Sequence, residues 1–207
     1  MKMFFIGIDL AGVETRPSGF AALDESMKVV TMTLYSDEDI VNEVNRFKPT
    51  IIAIDAPLSL PKGRTSLDVR SDIHLRECDR ELLRRGIRFF PITLGPMRTL
   101  TKRGIRLKNA LESLGYDVIE VYPGGAQDVL GIPRKTTSVE GLRKGLARLK
   151  IKGIEGFQSH HELDAVTAAL VAKMFYDGDY EAYGDPMEGQ IIMPIKKQVR
   201  GKFINTP

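Results

Sequence analysis

Residues 3–34, MFFIGIDLAGVETRPSGFAALDESMKVVTMTL, decide how the rest of the chain is read. Met3–Asp9 is a nearly continuous apolar run, the pattern of a strand buried on both faces. Ala11–Ser18 supplies loop chemistry through Gly12, Pro17 and Ser18. Gly19–Leu23 and Met27–Leu34 read as two further strands, joined by Asp24-Glu25-Ser26 in a short hairpin. The three form an antiparallel meander with no room for a helix between them. Doubly wound nucleotide-binding folds begin strand, helix, strand, so this opening argues against them.

Working outward, Ser36 is an N-cap followed by Asp37, Glu38 and Asp39, whose carboxylates complement the helix dipole. Ile40, Val44 and Phe47 share one face of this helix, and Pro49 ends it. Thr50–Ile54 is a second apolar strand that stops at Asp55; the helix before it is a crossover, which makes the strand parallel to the first. Helices follow over about 72–85 and from Met97 to Leu114, then a core strand over 117–122 broken by Pro123-Gly124-Gly125. A basic helix over 138–150, a long helix over 158–176 and an optional strand over 189–194 complete the chain. The expected architecture is an RNase H-like α/β fold, a mixed five-stranded sheet in the order 3-2-1-4-5 flanked by helices. One domain is expected to cover residues 1–207, with basic helical segments at 62–108 and 134–152.

The composition is ordinary for a globular chain, with 43% apolar and 28% charged residues among 207. A single cysteine, Cys78, excludes a disulfide framework and any cysteine-built zinc or iron–sulfur site. No signal peptide or membrane span is expected, which makes the cytoplasm the default location. The net charge of +3 hides a segregation: residues 62–108 carry thirteen Lys/Arg against five Asp/Glu, and residues 134–152 seven against one. Basic stretches of this kind suit an anionic partner such as DNA or RNA. Two stripes stand out, Arg76, Arg80 and Arg84 on one helix and Arg98, Lys102 and Arg106 on the next. With 7% aromatics and no tryptophan, no stacking platform for single strands is expected.

Carboxylates interrupt the apolar segments at telling places. Asp9 ends the first strand and Asp55 the fourth. If those strands are parallel neighbours, their tips lie about 5 Å apart. Two carboxylates that close repel unless a cation sits between them. Oxygen donors suit Mg²⁺ or Mn²⁺. On the last long helix, Asp164 shares an apolar stripe with Ala168, Val171 and Phe175, where an unpartnered charge is costly. His161, three residues earlier, faces the same way, whereas Glu162 is rotated away. Ala165, Ala168 and Ala169 let this helix approach the sheet closely. Glu120, near the end of the third core strand, is either a further ligand beside Asp55 or a solvent-facing strand residue.

Gly7-Ile8-Asp9-Leu10-Ala11, Ile54-Asp55-Ala56-Pro57-Leu58, Arg76-x-Cys78-Asp79, Glu120-Val121-Tyr122-Pro123 and Glu162-Leu163-Asp164-Ala165 together resemble domain-of-unknown-function family 429. The similarity spans roughly Met3 to Pro194. It implies the RNase H-like fold and a metal-dependent nuclease. The spacing His161-x-x-Asp164 is also similar to the last helix of Holliday-junction resolvases, with His in place of a carboxylate, which leaves the site one acidic ligand poorer.

The leading expectation is therefore hydrolysis of a phosphodiester. Asp9 bridges two divalent ions about 3.5–4 Å apart, and Asp55 and Asp164 each hold one. His161 positions water or phosphate, Glu120 is an auxiliary ligand, and the two basic stripes neutralise backbone phosphates without reading sequence. Two other readings compete. One is a catalytically silent nucleic-acid-binding module. The other is an ATP-binding phosphotransferase of the actin and sugar-kinase type, which requires two copies of the sheet core where this chain has room for one.

Overall fold

The computed structural model describes residues 2–195. The first three strands are β1 (Phe4–Asp9), β2 (Ser18–Asp24) and β3 (Val29–Leu34), each antiparallel to the next as the meander requires. Helix α1 (Asp37–Phe47) is closed at its start by a capping box in which Ser36 Oγ accepts from Asp39 N–H while the Asp39 carboxylate accepts from Ser36 N–H. It crosses over to β4 (Ile51–Asp55), which runs parallel to β1 with Asp9 directly opposite Asp55.

Beyond β4 come α2 (Glu77–Arg84) and α3 (Gly95–Ser113), then β5 (Val118–Val121), parallel to β4. Helices α4 (Pro123–Leu130), α5 (Val139–Arg148) and α6 (His160–Asp177) follow, then β6 (Tyr180–Tyr183) and β7 (Ile191–Pro194). The sheet order is β3-β2-β1-β4-β5-β7-β6. The five-stranded core is the expected 3-2-1-4-5, and the sheet continues for two strands past β5. The optional terminal strand is β7, parallel to β5, and it recruits the unforeseen β6 as an antiparallel edge. A second difference is α4: Pro123 sits in its first turn, where its missing N–H costs nothing, so Pro123-Gly124-Gly125 opens a helix as well as ending a strand.

Strand pleating sorts the core into two layers. Phe5, Ala21, Leu23, Ile51 and Ala53 face α4, α5 and α6, while Ile6, Ile8, Phe20, Ile52 and Ile54 face α1 and α3. A third cluster of Cys78, Leu82, Ile87, Tyr183, Ile191 and Met193 joins α2 to the added strands. Among the described residues no helix is long and apolar enough to cross a membrane.

Helix α6 lies unusually close to the sheet. A Cβ on Gly7 would fall 2.0 Å from the Ala165 carbonyl oxygen and 2.3 Å from Ala169 N. At Gly19 it would fall 2.1 Å from the His161 carbonyl oxygen. Ala165, Ala168 and Ala169 are fully buried in the same contact, which is the close approach that the small residues predict. Two glycines on adjacent strands thus set the height of the helix that carries His161 and Asp164.

Candidate metal centre

The parallel register places the Asp9 and Asp55 side chains side by side at the C-terminal ends of β1 and β4. Both belong to the face covered by α6, because they share pleat parity with Gly7 and Ala53. Asp164 meets them from above. The start of α6 is fixed by Ser159 and Glu162, a second capping box, so Glu162 is occupied with the helix end and Asp164, two positions on, looks inward. One carboxylate oxygen from each of Asp9, Asp55 and Asp164 lies within 4.8 Å of the others. Asp9 and Asp164 are buried and Asp55 partly so.

Three neighbours hold this triad. His161 Nδ1 lies 2.8 Å from Asp9 Oδ2. Gln127, on α4, donates from Nε2 to Asp164 Oδ1 at 2.8 Å and to Thr167 Oγ1 at 3.1 Å. Lys135, from the loop between α4 and α5, places Nζ 2.6 Å from Asp164 Oδ2 and 3.4 Å from Asp9 Oδ2. Withdrawal from solvent, compounded by the Asp9 and Asp164 charges, pushes the Asp55 carboxyl well above its ordinary 3.8. Burial likewise raises Asp164, against the pull of Lys135. For Lys135, burial opposes the charge, but Asp9 and Asp164 outweigh it and bring the ammonium up to about 12.

The donor set fits a divalent cation. Three converging carboxylate oxygens are a hard, anionic set of the kind Mg²⁺ and Mn²⁺ take. An ammonium already touches two of the three carboxylates, so the cluster attracts positive charge.

Glu120 is placed differently from expectation. It stands opposite Ile54 rather than Asp55, so the pleat sends its side chain to the other face of the sheet. There Arg76 donates to both of its oxygens at 2.6 and 2.7 Å, and Leu58 N–H donates at 2.7 Å. It serves there as the counter-charge of Arg76, with its side chain on the opposite face from the triad. Arg76 is itself a correction. It precedes α2 rather than riding its outer face, is 1% exposed, and also binds Asp79 at 2.9 Å, which removes it from the basic stripe. The reason is local: the helix starts five residues later than its periodicity suggests, and Asp79 draws Arg76 inward.

The other five cations lie at the surface, Arg98 partly buried and the rest exposed, and all are paired. Arg80 and Arg84 contact Glu77, Arg98 and Lys102 contact Asp68, and Arg106 contacts Asp37. Lys135, Gln127 and Arg103 escaped sequence reasoning. A lysine in a basic loop and a glutamine in a segment read as a chain break carry no periodic signal. Arg103 is buried in the second stripe's helix, where it donates to Asp37, to the Ala11 carbonyl and to the Tyr35 carbonyl, tying α3 to the chain just past Asp9.

A 3-2-1-4-5 sheet core flanked by helices defines an RNase H-like fold, here with acidic residues at the ends of β1 and β4 and on α6. A Thermus thermophilus RuvC in complex with a Holliday junction substrate has the same fold, with a TM-score of 0.50 at 14% identity over 85% of this chain and 95% of that one. A second T. thermophilus RuvC structure gives 0.47 at 14% identity, over 85% and 97%. No curated protein matches the chain. The chain belongs to the family described as protein of unknown function DUF429, whose model matches residues 7–188.

Proposed function

We propose that this chain is a metal-dependent nuclease that hydrolyses phosphodiester bonds of DNA or RNA, acting in the cytoplasm as one RNase H-like unit with Mg²⁺ or Mn²⁺. The observation that carries the reading is the convergence of Asp9, Asp55 and Asp164 within 4.8 Å. These residues supply the oxygens for the ion, with His161 holding Asp9 and Gln127 holding Asp164 in place. When bound, the divalent ion supplies a Lewis acid and lowers the pKa of a coordinated water. Lys135 offsets the charge of Asp9 and Asp164 and stands where a phosphate oxygen can share its ammonium. Arg80, Arg84, Arg98, Lys102 and Arg106 meet backbone phosphates without sequence preference, exchanging their present acidic partners for the nucleic acid.

The test is incubation of the full chain with Mg²⁺ or Mn²⁺ and labelled duplex, branched, single-stranded and hybrid substrates, beside Asp9→Asn. Cleavage falling by at least about a hundredfold in the variant is expected; unchanged cleavage overturns the reading. One observation favours a catalytically silent nucleic-acid-binding module instead: Lys135 already compensates the triad from within. That alternative predicts binding that weakens with salt and no cleavage by either protein.

A further inference from the structure

Beside the triad lies a cavity of about 200 Å³ that Asp9 and Asp55 themselves line. Its walls are apolar and aromatic, formed by Phe89, Phe90, Ile92, Met97, Leu100 and Tyr122. The chain is poor in aromatics, with nine Phe and six Tyr, yet three of them meet at this one place. Phe90 is 71% exposed although it lines a cavity. The ring is therefore presented to solvent at the cavity rather than consumed by the core. The volume is below the roughly 300–1,000 Å³ of a site for a whole drug-sized ligand and suits one flat ring system.

We propose that this cavity receives a single unstacked nucleobase next to the scissile phosphate, so that the substrate is a strand whose base has left its helix, as in a bulge, a loop or a branch point. The proposal rests on the nuclease reading for its phosphate and deepens it by naming the substrate class. A base pocket continuous with the carboxylates positions the neighbouring phosphate over them, and aromatic rings stack on any base. Apart from Asp9 and Asp55, which the nuclease reading assigns to the ion, the polar groups lining the cavity have little left to offer a base edge. Arg76 is spent on Glu120 and Asp79, and Tyr122 Oη donates to the Arg88 carbonyl and accepts from Arg134. The pocket therefore holds a base by stacking and does not read its identity. Low overall aromatic content argued against a stacking platform; the fold assembles one locally.

The experiment is fluorescence anisotropy of the full chain in EDTA with three DNA duplexes: fully paired, carrying a one-nucleotide bulge, and carrying the same bulge without its base. Mn²⁺ cleavage of the same duplexes is followed in parallel. The base-bearing bulge is expected to bind about tenfold tighter than the abasic one. Phe90→Ala should erase that difference and Phe90→Tyr should keep it, with the four bases agreeing within about threefold. Equal binding of the base-bearing and abasic bulges, or a preference that survives Phe90→Ala, overturns the proposal while Asp9-dependent cleavage keeps the nuclease reading. Base-dependent binding without any cleavage supports the pocket and overturns the nuclease reading. Absence of binding to all three duplexes overturns the pocket.

Discussion

At the scale of single residues, the triad is a set of charges in search of a counter-charge. Asp55 and Asp164 sit above their ordinary pKa in the metal-free protein, so the folded form holds protons that the unfolded chain releases near 3.8. The stability this confers is full below that value and is lost as the pH rises through the folded-state values. A divalent ion reverses the balance, because it binds only the deprotonated carboxylates. The gain in melting temperature on adding Mn²⁺ is therefore expected to grow with pH between about 5 and 8, and thermal scans with Mn²⁺ and with EDTA across that range check it. Lys135 competes for the same charge. Lys135→Ala should cost the metal-free protein about 1–2 kcal/mol, less than a fully buried pair because the side chain is 30% exposed. It should also tighten Mn²⁺ binding about tenfold, readable by calorimetry. The carboxylates were legible in the sequence because each breaks an apolar segment. Lys135 was not, since a loop lysine becomes informative only when its reach is known.

Among secondary-structure elements, the contact of α6 with β1 and β2 is the one that turns a sheet into a site. Asp164 is useful only at the height that Gly7 and Gly19 allow. Gly7→Ala pushes a methyl into the Ala165 carbonyl and the Ala169 amide, both backbone groups that cannot rotate aside. Such overpacking is expected to cost about 3 kcal/mol or more. In a chain of this length it should lower the melting temperature by roughly 6–12 °C. Because α6 carries two of the groups at the site, Mn²⁺ affinity should fall along with stability, whereas an overpacked position remote from α6 should lower stability alone. Denaturation and metal titration of the same variant separate these outcomes. The sequence announced this contact through its alanines. It concealed α4 and β6, one behind Pro123-Gly124-Gly125 and the other because Tyr180–Tyr183 is a four-residue edge strand with no alternating apolar signal.

Across the whole molecule, the basic excess read from residues 62–108 lies mostly at the surface, but two of its arginines, Arg76 and Arg103, are buried and several others are tied into the architecture by ion pairs. Asp37 bridges α1 to two arginines of α3, Glu77 takes two arginines of its own helix, and Arg76 clamps the start of α2 to β5. A count of charges along a chain cannot distinguish a solvated cation from a structural one, and this is why Arg76 read as a phosphate contact. Its burial between Glu120 and Asp79 makes it a joint between α2 and β5, beside the cluster around Cys78 that packs α2 against β6 and β7, while β7 itself joins the core by pairing with β5. Arg76→Ala leaves two buried carboxylates facing each other without a cation. The expected loss is about 3–5 kcal/mol, seen as a lower urea midpoint. Replacing Glu120 with Gln in the same chain removes one of the stranded charges, so the double variant should be less destabilised than the sum of the two singles. Strict additivity in that cycle would mean that Arg76 and Glu120 act independently, and α2 would then be held to the sheet without help from this ion pair.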